Sequence, residues 1–303
     1  MLSVALIFWA QRMLHLDLDG RYADALEQAL YNNALCGLSR DGEHYFYSNP
    51  LDSDGRHTRW AWHTCPCCTM NVSRLVASIG AYYLSASDDA VANHLYGGFS
   101  TTLALAGGKV TIRETSDYPW SGAIRVAGTP ETPLDFTLKL RIPGWTRSPR
   151  VELNGQPLDA TATEMGYLAI SRRWQPGDLV TVDLPMPPER LYPHPAVTAD
   201  LGRVALRRGP LVYCLEEADN PGAPVQRLLL PRTSTLRPSP RADLLGGAVA
   251  ITADALRLDE TGWTDTLYRP TPPTRHPVAA TAIPYYLWNN RGPHSMSVWI
   301  PEA

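Results

Sequence analysis

The run VALIFWA at residues 4–10 is apolar on every side when wound as a helix. A helix of that kind is stable only with neighbours on several sides. Leu6, Trp9, Met13 and Leu16 recur through it at helical spacing, and Asp19-Gly20 breaks the run. Tyr22, Leu26, Ala29 and Leu30 predict the buried face of a second helix. Val72, Leu75, Val76, Ile79 and Tyr83 predict a third, with Asn71 as its N-cap. HYFYSNPL at 44–51 alternates like a short extended segment, so the first 87 residues read as helical around that one interruption. Three such helices do not enclose one another. They are expected to be part of a larger helical body, and an uncovered apolar face predicts self-association.

After SASDDA the pattern changes to short β runs: KVTIRET, GAIRVAG, LDFTLKLRIPGW, PRVELNGQPL and YLAISRRWQPGDLVTVDLP. Gly, Pro and Asn-Gly turns punctuate them, which predicts an antiparallel sandwich. VELNGQPL is the strongest hairpin signal, because Asn-Gly suits a two-residue turn with positive φ. Beyond Pro195, GRVALRRGPLVYCLE, QRLLLP, AVAITADALRLD and IPYYLWNNRGPHSMSVWIP predict a second β region. Helices followed by strands imply an α + β multidomain chain, not an alternating parallel sheet. The expected domains are residues 1–90, helical; 91–192, a β-sandwich; and 193–303, a second sandwich-like region with a C-terminal strand.

A formal net charge of −3 gives no electrostatic case for nucleic acid or an acidic membrane as partner. The opening run lacks a basic leader and a small-residue cleavage site, and is too short to span a bilayer. Nine Trp and 14 Tyr against four Phe give many rings with a polar edge, which suits sugars.

The chain has five cysteines, and HTCPCCTMN at 63–71 holds three of them. An odd number so clustered does not make a disulfide framework; with no leader, it points to a reducing compartment and cytoplasmic localisation. Isolated Cys36 and Cys214 read as inert apolar residues. The cluster itself has three readings. It is inert packing; or Cys65 and Cys68 form a redox C-x-x-C at a helix N-terminus, though without the usual βαβ surroundings; or Cys65, Cys67, Cys68 and His63 contribute to a zinc site that lacks a second ligand pair. His63, beside Trp60 and Trp62, is either a supporting group for the site or a core-edge residue. Glu27, taken by itself, reads as a solvated helix residue, Tyr47 as a packing residue, and Asp88-Asp89 as solvated.

CPCCTMNVSRLVASIGAYYL, with ALEQALYNNAL, HYFYSNPL and IPYYLWNNRGPHSMSVWIP, resembles glycoside hydrolase family 127, the retaining β-L-arabinofuranosidases, over essentially the whole chain. The resemblance implies a partial (α/α)6 barrel followed by β-sandwich domains. It implies that Cys67 is the catalytic nucleophile and a zinc ligand, that Cys68 is a second zinc ligand, and that Glu27 and Tyr47 contact the sugar. The substrate class would be an arabinofuranosyl-containing saccharide. The family carries a Glu-x-Cys pair of zinc ligands just before the SVALIFW helix, and an acid/base glutamate further upstream. Neither is in this sequence, so the chain is expected to be the C-terminal portion of a longer enzyme. Zinc would then bind weakly or not at all, activity would require a separately encoded N-terminal half, and the chain alone would be inactive. The contrasting expectation is a non-catalytic β-sandwich protein that binds glycans or partners and keeps a vestigial cysteine pair.

Overall fold

In the computed structural model, which describes residues 2–263 and 265–303, the opening run forms helix α1 (Leu2–Leu16). It packs on helix α2 (Gly20–Ala29) through Val4, Ile7, Ala10 and Leu14. The expected stripe of Leu6, Trp9 and Leu16 is exposed instead. A run apolar all round contains more than one helical stripe, and the partner helix, not the periodicity, selects among them.

Helix α2 starts where the sequence breaks. Asp19 is extended, at φ −110° and ψ 123°, and its carboxylate accepts the Arg21 N–H at 2.9 Å. Gly20 is required by close approach: a Cβ there would stand 3.1 Å from the Met165 carbonyl oxygen. Helix α3 (Cys67–Ser78) begins at the cysteine pair, after Pro66. Asn71 does not cap it. Its Nδ2 donates to the Cys67 carbonyl at 2.7 Å from inside the first turns, because the helix starts five residues earlier than the apolar pattern indicates. Leu75 is buried, whereas Val76 and Met70 are exposed.

The chain divides into two units, one of residues up to 34 with 65–186 and the other of 35–64 with 187–303. In the first, two sheets enclose a core that includes Val126, Phe136, Leu138 and Trp174. The six-stranded sheet runs Phe99–Leu105, Gly108–Ser116, Ala123–Pro130, Leu179–Asp183, Arg150–Leu153, Gln156–Leu158. Its Asn154-Gly155 turn has φ of 52° and 77°, as the hairpin chemistry requires. The four-stranded sheet runs Tyr167–Trp174, Leu134–Arg141, Ala90–Asn93, Leu84–Ala86. The pair Ala90–Asn93 and Leu134–Arg141 is parallel, where an antiparallel sandwich is expected. Side-chain alternation is the same in either direction and does not report strand sense.

The second unit is a ten-stranded sheet with the path Asp52–Asp54, Ser295–Ser297, Leu211–Glu216, Arg275–Pro284, Ala248–Leu258, Leu228–Leu229. Residues 38–66 contain no helix. The expectation of a helical first 87 residues therefore fails in this stretch. Strand Asp52–Asp54 pairs with Ser295–Ser297, Pro50 accepts the Tyr285 hydroxyl at 2.8 Å, and Arg59 donates to the Cys36 and Trp288 carbonyls. Cys36 and Cys214 are fully buried; burial pushes the Cys36 thiol up to about 11 and Cys214 well above its ordinary value.

Glu114 is buried in the first unit, where it accepts the Gly97 N–H and the Asn93 amide. Burial outweighs both donors and pushes its carboxyl up to about 8. Asn93 Oδ1 is buried with no partner, and a turned-over amide would let a protonated Glu114 donate to it. Because the folded value lies above the unfolded one, this group's contribution is complete below about pH 4.5 and is lost as the pH rises to about 8. The expected loss is on the order of several kcal/mol. Urea unfolding at pH 5 and pH 8 should show a smaller difference for Glu114→Gln than for the wild type; an unchanged difference contradicts the assignment.

Candidate active site

Helix α3 places the cysteine pair at its first turn. Cys68 is buried, Cys67 is partly buried and Cys65 is exposed, and all are free thiols. The Cys67 and Cys68 sulfurs lie 3.8 Å apart, on the same side of the turn. Two thiolates on one tetrahedral zinc, each at about 2.3 Å, also stand about 3.8 Å apart. The pair therefore fits two ligand positions without rearrangement. Among the described residues, three ligand-type atoms gather within 4.8 Å at Asp41, Glu43 and His44, an exposed turn unrelated to the cysteines.

Glu27 is 1% exposed and is not the solvated helix residue that composition suggests. Its Oε1 accepts Arg141 Nη2 and, at 2.6 Å, the Tyr118 hydroxyl. Its Oε2 accepts Trp145 Nε1 at 3.0 Å. Arg141 is completely buried and turns its other nitrogen to Asp24 Oδ1 at 2.7 Å. Burial opposes the guanidinium charge, but Glu27, Tyr118 and Asp24 together outweigh it and raise its pKa. Tyr118 is held far above its ordinary value by burial and by the Glu27 charge. This network fastens α2 to the strand Leu134–Arg141. Sequence reasoning missed Arg141, Tyr118 and Trp145. The one available signal was the Asp24/Glu27 pair, two carboxylates three residues apart on one helix face.

Tyr47 lies in the second unit and is largely exposed, next to a buried His63 whose ring centre is 5.3 Å away. The site residues expected from the sequence thus fall into three settings. Cys67 and Cys68 stand together at the start of α3, Glu27 sits in an ion network on α2, and Tyr47 belongs to the irregular segment of the second unit.

Three models of one family match consecutive parts of the chain. The β-L-arabinofuranosidase GH127 catalytic domain matches residues 2–81, the GH127 middle domain 90–186 and the glycoside hydrolase family 127 C-terminal domain 188–301. This chain belongs to glycoside hydrolase family 127. It is 33% identical, over 98% of its length, to a non-reducing end β-L-arabinofuranosidase of Bifidobacterium longum subsp. longum, of which it covers 48%. Its structure resembles that of Ara127N-Se, a GH127 β-L-arabinofuranosidase from Geobacillus stearothermophilus T6, with a TM-score of 0.95 and 46% identity. The match covers 99% of this chain and 49% of that one. The GH127 β-arabinofuranosidase BT3674 matches with a TM-score of 0.92 and 36% identity, over 99% of this chain and 49% of its own. The chain thus spans about half the length of these relatives.

The ion network gives a stability test. Arg141→Met leaves Glu27 buried without its cation and should cost about 3–5 kcal/mol in urea unfolding. The double variant Glu27→Leu/Arg141→Met should recover part of that loss. A loss below about 1 kcal/mol for the single variant would show that the pair is not a buried charge partnership.

Proposed function

We propose that this chain supplies the nucleophile of a retaining β-L-arabinofuranosidase, and that a separate N-terminal half completes the active site. The observation that carries the reading is the Cys67–Cys68 pair, at zinc-compatible spacing, opening a helix inside the stretch matched by the family's catalytic domain. The three helices then form part of an (α/α)6 barrel. The exposed Leu2, Leu6 and Trp9 on α1, with Met70 and Val76 on α3, supply apolar surface for the rest of it.

In this scheme the Cys67 thiolate attacks the anomeric carbon as the bond to the leaving oxygen breaks. The leaving group takes its proton from an acid on the other half. Water, deprotonated by the same group, then cleaves the carbon–sulfur bond, releasing the sugar with retained configuration. Cys67 and Cys68 would hold zinc, which, when bound, keeps thiols deprotonated at neutral pH. Glu27 and Tyr47 are retained as sugar contacts.

The chain alone should turn over an aryl β-L-arabinofuranoside on the order of 10²–10⁴-fold more slowly than the chain mixed with the N-terminal half of a GH127 relative, from the missing acid alone. Cys67→Ala should abolish turnover of the mixture. Full activity in that variant, or in the unmixed chain, overturns the proposal. A zinc titration of the chain alone should show no tight stoichiometric site, and Cys68→Ala should weaken the residual binding further.

A further inference from the structure

The function proposed above uses two of the three clustered thiols and leaves Cys65 without a role. Cys65 is exposed, whereas Cys67 is partly buried and Cys68 is buried. The Cys67 and Cys68 sulfurs approach to 3.8 Å, but among the described residues Cys65 does not complete a set of three ligand-type atoms within 4.8 Å. Its sulfur is thus not the third arm of a preformed metal site. It is a free thiol at the surface, just ahead of two others.

The backbone decides which of the other two it can bond to. A disulfide without strain spans about 4.4–6.8 Å between Cα atoms. Cys67 and Cys68 are joined by a trans peptide, which holds their Cα atoms about 3.8 Å apart, below that range. Their sulfurs are close and still badly placed to join each other. Cys65 and Cys68, by contrast, bracket Pro66, at φ −79° and ψ 20°, and Cys67, the first residue of α3. Two successive residues curled in this way make a turn, and a turn brings the Cα atoms of its first and fourth residues within about 7 Å. Residues three apart around a helix also share a face, whereas residues two apart do not. Cys65 and Cys68 are therefore a C-x-x-C unit at a helix start, a spacing at which dithiols close and reopen.

We propose that Cys65 and Cys68 form a reversible oxidation site whose oxidant is a peroxide. The exposed Cys65 thiol takes one oxygen from hydrogen peroxide to become a sulfenic acid, and a water leaves. The Cys68 thiol then attacks that sulfur, its proton departs with the hydroxyl as a second water, and the disulfide forms. The two thiols together lose two electrons and two protons, and one peroxide becomes two waters. A dithiol reductant returns both thiols by exchange. The bond withdraws Cys68 from the pair at the start of α3 and leaves Cys67 there alone. The consequence for turnover rests on the function proposed above; the disulfide itself does not, because its formation needs neither zinc nor a sugar. Cys36 and Cys214, fully buried, take no part.

The test treats the full chain with hydrogen peroxide, unfolds it, alkylates the remaining thiols and reads the intact mass. The wild type should lose two of its five thiols to an internal disulfide, and dithiothreitol should restore both. Cys67→Ser should lose two thiols in the same way. Cys65→Ser, a change at an exposed position, should form no internal disulfide. None of these readings involves turnover, so a failure of the nucleophile assignment appears elsewhere. The proposal is overturned if the wild type forms no internal disulfide, if Cys65→Ser still forms one, or if Cys67→Ser does not.

Discussion

One buried charge pair organises the first unit. Arg141 has no exposure to solvent, so its charge is tolerable only because Glu27 and Asp24 meet it from α2. The Tyr118 hydroxyl and the Trp145 indole complete the shell around Glu27 from elsewhere in the sandwich. A helix from the stretch matched by the family's catalytic domain and strands from its middle domain therefore share one polar centre as well as an apolar seam. Hydrophobic contacts bring α2 onto the sheet and tolerate small slips along it. The three donors converging on one carboxylate do not, and they fix the helix in register.

The cysteine pair shows a different use of the same principle. Its spacing is set locally, by adjacent positions at the first turn of α3, and needs no distant residue to hold it. What the chain supplies is a matched pair of soft donors on a rigid element. Cys36 and Cys214, sealed under hydrocarbon with their thiols held protonated, illustrate the alternative fate of a cysteine in the same fold.

Much of the architecture was legible because its signals are local. The Asn154-Gly155 hairpin, the strand runs, the Asp19 start of α2 and the segregation of helices from strands follow from turn chemistry and periodicity. The misreadings share a cause. The buried stripe of α1, the parallel strand pair and the position of residues 35–64 are all decided by partners far away in sequence. Glu27 is the sharpest case. Beyond the neighbouring Asp24, little around it indicates burial, because the residue that neutralises it is 114 positions further along the chain. The vicinal cysteines were legible as a candidate site from clustering, but their ligand-like separation is a fact of three dimensions.

The route of the chain between the two units has a practical corollary. Residues 35–64 leave the first unit, add a strand to the second beside Ser295–Ser297, and return at Cys65. The boundaries of the family's domains, which place residues 2–81 together and begin a new domain at 188, are thus not the seams along which the molecule would come apart. Cutting the chain after Met186 would strand the thirty residues 35–64 without the sheet they belong to, and would deny that sheet its edge. The excursion works as a stitch: one thread through two pieces of cloth, so that neither can be lifted out as an uninterrupted length.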